Sequence, residues 1–167
     1  MEVRLSNLLN LEKYAVKKAV TEDIQTLVAL MTAFYAESHY QLDQEFASLA
    51  FADALSGQRH CHIWIIESDE VSVGYVLLSL RFAMEYGGMI GHIDDLYIAP
   101  EQRSKGLSTA LLETLRGFCV QQKVCALTVE VAHDNAAAQA AYRRLGMLEA
   151  ADRQVLSVAL ARASHVA

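Results

Sequence analysis

Apolar positions along the first third of the chain recur at helical spacing, and those in the middle third run in blocks of β-branched and aromatic residues. "YAVKKAV" (14–20) reads as a short first strand that ends at Thr21, a good N-cap with Glu22 and Asp23 behind it in the positive first turn of a helix. Ile24, Leu27, Val28, Met31, Phe34 and Tyr35 then put one face of that helix in the core. A second helix is predicted over 43–55, closed by Gly57, and "YAESHYQLD" between the two is a polar, aromatic-rich connection. "CHIWIIES" and "VSVGYVLLSLRFA" flank the polar pair "DE" as a hairpin, "EYGG" (85–88) is a second turn, and "IGHIDDLYIA" returns as a third strand that stops at Pro100. Beyond Leu107, the spacing of Ala110, Leu111, Leu115, Phe118 and Cys119 predicts an amphipathic helix. Strand "CALTVEVA", helix "NAAAQAAYRRLG" ended by Gly146, and strand "QVLSVAL" (154–160) follow. A strand, two helices, a three-stranded meander and an αβαβ tail make one mixed, α/β (α+β) sheet with helices packed on its faces.

Composition narrows the class without changing that picture. A chain of 167 residues that is 53% apolar and 20% charged fits a single globular domain. No stretch reaches the roughly eighteen uninterrupted apolar residues of a membrane span, and the N-terminus lacks a secretory pattern. Membrane partners are therefore not expected, and the cytoplasm is the expected location. Cys61, Cys119 and Cys125 show neither CxxC nor Cys/His ligand spacing, which points to buried thiols rather than a disulfide framework or a metal site. A net charge of -6 with no basic stripe argues against a nucleic-acid partner and suits a cationic one.

Against that acidic background, "EQRSKGLSTALL" (101–112) sets Arg103 and Lys105 around Gly106 where a strand turns into a helix. Such a junction presents unpaired backbone N–H groups at the positive end of a helix dipole, which makes an anion site. Gly106 permits torsions or an approach that a Cβ would block, the two cations can reach phosphate oxygens, and Ser108 and Thr109 add hydroxyls. The spacing is that of neither the P-loop nor the dinucleotide fingerprint. It does resemble the Q/R-x-x-G-x-G/A acetyl-CoA signature of the GNAT superfamily of N-acetyltransferases, with Ser108 where Gly or Ala is usual. "NAAAQAAYRRLGM" is similar to a second stretch of that family, N-x-x-A-x-x-x-Y-x-x-x-G-F, through Asn135, Ala138, Tyr142 and Gly146, with Met147 in place of Phe. The resemblance covers about 60–160. It implies a GNAT-like single domain over 1–167, with 1–12 as an N-terminal extension and 90–146 as the acetyl-CoA-binding core. The sheet is then expected to hold six to seven mostly antiparallel strands, with about four helices on both faces.

Several roles follow from the resemblance. Backbone groups of Leu96, Tyr97 and Ile98 are expected to pair with the pantetheine arm of acetyl-CoA, a strand-like mode that its amides allow. Arg103, Ser104, Lys105, Gly106, Leu107, Ser108 and Thr109 are expected to hold the diphosphate, and Asn135 and Ala138 to contact the cofactor; Asn135 also reads as a helix N-cap. Tyr142 matches the family tyrosine that protonates the departing thiolate, a task open to a phenol with pKa near 10; packing of one helix face is the other reading. Strand alternation puts His92, Asp94, Leu96 and Ile98 on one face and Ile93, Asp95 and Tyr97 on the other, unless a bulge shifts the register. The resemblance to the polyamine-acetylating branch favours Asp94 over Asp95 as the residue that orients or deprotonates the amine. A capping or ion-pairing aspartate is the alternative. Glu37, Tyr40 and Asp43 belong to the connection expected to wall the acceptor, Glu85 and Tyr86 in the hairpin turn are similar candidates, and His133 precedes Asn135 near the cleft.

The leading expectation is therefore an acetyl-CoA-dependent N-acetyltransferase, without a metal, acting on a primary amine of a small cation such as a polyamine, diamine or aminoglycoside. Protein or peptide amines as acceptors, and a non-catalytic acyl-CoA-binding regulatory module, stay open. A homodimer is expected from the family alone.

Overall fold

The computed structural model describes residues 13–150 and 155–158. Its elements run β1 (Tyr14–Lys18), α1 (Ile24–Glu37), α2 (Gln44–Leu55), β2 (Cys61–Ser68), β3 (Val71–Ala83), β4 (Gly88–Ile98), α3 (Leu107–Gln121), β5 (Ala126–Val129) and α4 (Ala136–Arg144). The strands form one sheet in the order β1-β2-β3-β4-β5, antiparallel except where β5 lies parallel to β4. Five strands are thus described where six to seven were expected. The expected extension 1–12 and most of the expected strand 154–160 lie outside the described residues, and 155–158 belong to no strand.

Both faces of the sheet are covered, which explains why β2 and the first half of β3 read as near-continuous apolar runs rather than alternating ones. On one face Leu27, Val28 and Leu30 of α1 and Ala47 and Phe51 of α2 pack against Ile63, Ile65, Tyr75 and Tyr97. On the other, Leu107, Leu111, Leu112, Leu115 and Cys119 of α3 and Tyr142 of α4 pack against Trp64, Ile66, Val76, Leu78, Ile93 and Ile98. Close approach of β3 to β4 depends on Gly74, because a Cβ there would collide with the Tyr97 carbonyl and the Ile98 side chain. Overpacking of this kind costs about 1–3 kcal/mol.

Local chemistry settles the element ends. The polar pair Asp69-Glu70 takes left-handed torsions (φ 49° and 66°), as a tight two-residue hairpin requires. Asp43 caps α2, accepting from the Phe46 N–H at 3.0 Å. Thr21 is not the cap expected of it: residues 21–23 form a short 3₁₀ turn, and the Asp23 carboxylate accepts from the Val20 N–H (3.0 Å) while also pairing with Lys17.

The largest departure from the expected pattern lies in β4. Leu77 pairs with Asp95 but Leu78 pairs with Ile93, so Asp94 is an extra residue in the ladder, a β-bulge. Simple alternation therefore fails there. Ile93 and Leu96, three residues apart, both belong to the α3 side, whereas Tyr97 lies on the α1 side, where Asp95 meets Tyr75. Pairing of β4 with β5 also stops at Ile93 with Val129, immediately before the bulge. Beyond that point β4 runs on alone to Ile98, and a gap opens between the two parallel strands.

Candidate active site

Two features converge on this gap. The first is a backbone surface. At the end of β4 the Ala99 N–H donates to the Val73 carbonyl (2.8 Å) and Tyr97 lies opposite Tyr75. Antiparallel alternation then turns the backbone groups of 97 and 99 toward β3 and those of Leu96 and Ile98 toward the open side. Leu96 and Ile98 can accept an added strand-like partner. Tyr97, expected to join them, is committed to β3, and its side chain packs instead on Phe34 (ring centroids 5.5 Å apart).

The chain next makes a 3₁₀ turn at Pro100–Gln102, passes through left-handed Ser104 (φ 62°) and Gly106 (φ 81°), and enters α3 at Leu107. A Cβ on Gly106 would meet nothing within 4 Å, so its torsion, and not close packing, calls for glycine. No side chain caps α3, and the first intrahelical bond is from the Ala110 N–H to the Gly106 carbonyl (3.0 Å). The amides of Leu107, Ser108 and Thr109 are left facing outward at the positive end of the dipole. Ser108 is partly exposed, and its small side chain leaves this surface accessible. An uncapped helix start beside a free strand edge fits the diphosphate and pantetheine of acetyl-CoA.

The two basic side chains of the loop are engaged differently from the expectation that they await phosphate. Arg103 donates from Nε to the Ile98 carbonyl (2.8 Å), pairs through Nη2 with Glu37 at the end of α1, and lies 5.9 Å from the Tyr97 ring centroid. Lys105 donates to the Gln102 amide oxygen at 2.9 Å. Asn135 is the N-cap of α4, with its Oδ1 accepting from the Ala138 N–H (3.1 Å). The Ala138 amide is thereby occupied.

The second feature is a half-buried carboxylate near phenols. Asp95 accepts from the Tyr75 hydroxyl at 2.9 Å. Burial pushes its carboxyl above the ordinary carboxylate range, the Tyr75 hydrogen bond pulls it back, and neighbouring Asp94 raises it again. Tyr142, 7% exposed, is pushed up to about 12, first by burial and then by the charge of Asp95. Tyr35 on α1 is raised by the same two causes in the same order. Asp94 itself is exposed. The resemblance favoured Asp94, but Asp94 is the bulged residue, and it is Asp95, on the face of Tyr97 as alternation expects, that meets the Tyr75 hydroxyl. Tyr75 escaped the sequence reading because it sits in an apolar run, although a hydroxyl in the middle of a strand buried on both faces was an available signal; Tyr35 was read only as part of the core face of α1.

The other candidates divide by position. Glu37 stands at the mouth of the site but shares its charge with Arg103, and Tyr40, 53% exposed, lies just beyond α1. Glu85 and Tyr86 belong to the short 3₁₀ turn that joins β3 to β4. That turn adjoins Gly88, seven residues of strand or roughly 23 Å from Asp95, so Glu85 is not brought to this site. His133 is exposed, and its backbone carbonyl accepts from Gln139. Among the described residues no group of three His, Cys, Asp or Glu side chains is arranged to hold a metal, and no helix is long and apolar enough to cross a membrane.

Known proteins match this arrangement. The profile of the Acetyltransferase (GNAT) family matches residues 23–147. The chain is 25% identical over 134 residues to the uncharacterized N-acetyltransferase YhfO of Bacillus subtilis, covering 80% of this chain and 89% of that one. Among solved structures, the integron cassette protein HFX_CASS3 from the mobile metagenome of Cole Harbour Salt Marsh is 38% identical with a TM-score of 0.80, over 87% of this chain and 90% of the other. AAC(6')-Iy, in complex with the bisubstrate analog CoA-S-monomethyl-acetylneamine, shares the fold at 15% identity with a TM-score of 0.72, over 87% and 97% of the two chains. The match over most of its length shows that the chain belongs to the GNAT family of acetyltransferases.

Proposed function

We propose that the protein is an acetyl-CoA-dependent N-acetyltransferase that acetylates a primary amine of a small cation, a polyamine, diamine or aminoglycoside-like molecule, by direct attack within a ternary complex. The reading is supported by Asp95, a half-buried carboxylate one residue past the bulge where pairing with β5 has ended, and by Tyr142 of α4, a phenol that feels the charge of Asp95 and stays protonated at neutral pH. Acetyl-CoA supplies the activated acetyl group and a thiolate leaving group. Leu96 and Ile98 would align the pantetheine, and the amides of Leu107, Ser108 and Thr109 would bind the diphosphate. Asp95 accepts a proton from the ammonium of the acceptor, freeing the lone pair that attacks the thioester. Tyr142 gives its proton to the departing sulfur. The amine nitrogen loses two protons in all: one restores Tyr142 and the other leaves to solvent from Asp95, so both side chains end as they began.

A cationic acceptor is supported by the acidic residues on its approach. Exposed Asp94 adjoins Asp95, and a cavity of about 570 Å³ between α1 and the end of β4, walled by Leu30, Ala33 and Tyr97, carries Glu37 and Glu101. Apolar walls with carboxylates suit an aliphatic chain bearing ammonium groups. The test is thiol release from acetyl-CoA with spermidine, cadaverine, kanamycin, a lysine peptide and a neutral aryl amine. Faster turnover of the small cations is expected; preference for the neutral amine overturns the acceptor class, and preference for the peptide moves the acceptor to proteins. In the same assay Y142F is expected to lose about 100-fold in kcat with little change in the KM for acetyl-CoA, and unchanged kcat removes Tyr142 as the acid.

A further inference from the structure

The phenol of Tyr75 has no part in the chemistry above, yet its placement is costly to explain as packing. Its side chain is fully buried in the middle of β3, with the ring against Phe51 (centroids 6.2 Å apart) and Tyr97 (6.4 Å). Phenylalanine would fill such a site without a polar atom that must find a partner. The partner that Tyr75 finds is Asp95, at 2.9 Å. In the register, Tyr75 opposes Tyr97, and Asp95 is the diagonal neighbour two residues before it. The register is regular from Tyr97 to Asp95, and the bulge at Asp94 follows immediately beyond it.

No ion pair to Asp95 exists among the described residues. The titratable groups around it are Tyr75 from β3, Tyr35 from α1, Tyr142 from α4 and Asp94 beside it on β4. All are phenols except Asp94, whose proximity raises the Asp95 carboxyl. The hydrogen bond from Tyr75 is therefore the one interaction here that favours the charged carboxylate.

We infer that Tyr75 is a positioning residue: its hydroxyl holds one oxygen of Asp95, keeps that carboxylate ionised inside the sheet, and leaves the other oxygen free to take the acceptor's proton. This rests on the reading of Asp95 as proton acceptor. Burial and Asp94 push the Asp95 carboxyl up, and only the Tyr75 bond opposes them.

The test follows the Asp95 carboxyl directly, by ¹³C NMR of protein labelled at aspartate Cγ, with the resonance assigned by its absence in D95N. In Y75F the titration midpoint is expected to rise by about one pH unit. Replacing Tyr75 with 3-fluorotyrosine keeps the packing but makes the phenol a stronger donor, so the midpoint is expected to fall; this variant carries the test should Y75F not fold. A midpoint unmoved by either change overturns the inference. The reading beneath it fails separately, through the pH profile of acetyl transfer to the best amine of the panel. D95N that keeps the wild-type acid limb overturns Asp95 as proton acceptor. Loss of that limb in D95N together with an unmoved midpoint in Y75F overturns the role of Tyr75 alone.

Discussion

The cofactor loop and the aspartate bulge are neighbours on the same strand, yet they are built on opposite principles. The loop from Ala99 to Thr109 is mostly exposed and works through its backbone: left-handed torsions at Ser104 and Gly106 and the uncapped amides of α3 make an anion site whose charge comes from peptide dipoles. Such a site does not titrate. The bulge region depends on side chains instead: Asp95 of β4 accepts from Tyr75 of β3, and its charge reaches Tyr35 of α1 and Tyr142 of α4. Burial sets its proton affinity, so pH acts there. One region offers charge that pH does not change, while the other carries a carboxyl whose proton affinity its surroundings set.

The sharpest way to break this contrast is to neutralise each aspartate in turn. D95N is expected to lower kcat by about 100- to 10,000-fold, the range for loss of a general base. D94N, at an exposed position, is expected to change the KM for a cationic amine by no more than about fivefold. Equal effects would dissolve the distinction between the two residues. In the proposed mechanism the ionised form is the active one, so wild-type activity is expected to fall as pH drops through the Asp95 pKa. That acid limb should lie above the ordinary carboxylate range because the pKa is raised. Stability runs the other way. The folded state holds this proton more tightly than the unfolded chain does, so Asp95 stabilises the fold increasingly as pH falls through its raised pKa and burdens it at neutral pH. D95N is therefore expected to keep or raise Tm at pH 7 by calorimetry while losing activity.

A smaller effect is expected in the loop. Alanine at Gly106 must hold a left-handed torsion, which costs about 1–2 kcal/mol. Distributed over loop stability and ligand binding, this predicts roughly a tenfold higher KM for acetyl-CoA, with kcat kept at saturation and no shift in the acid limb. A change confined to kcat would show that the loop does chemistry as well as binding.

The same contrast explains what could be read from the chain and what could not. The loop was legible because its structure is local: a strand, a glycine at a helix start and a downstream asparagine–tyrosine helix are each written in a short run of residues. Strand and helix order followed from periodicity for the same reason. The bulge was not legible, since a single extra residue in a ladder depends on how β3 and β5 pair with β4, and "HIDDLY" alternates equally well without it. Nor could one strand's sequence show that a tyrosine at 75 meets an aspartate at 95. Arg103 misled for a related reason: its spacing to Gly106 suggests phosphate, but Glu37, 66 residues earlier, arrives from α1 to claim part of its charge.

That link between α1 and the loop permits the finest test of the comparison, and the smallest expected effect. Glu37 and Arg103 are both substantially exposed, at 36% and 46%, so their pairing is worth only about 0.2–1 kcal/mol. E37Q removes the charge while keeping the side-chain shape, and leaves the Arg103 guanidinium bound to Ile98 with only a neutral amide oxygen as the acceptor for its Nη2. If the loop's anion site and the acceptor's approach share this arginine, the released charge strengthens diphosphate binding. The KM for acetyl-CoA should then fall by up to about threefold, most visibly at low ionic strength. A Glu37 that serves the acceptor alone gives the opposite pattern in steady-state kinetics, a higher KM for the amine with that for acetyl-CoA unchanged.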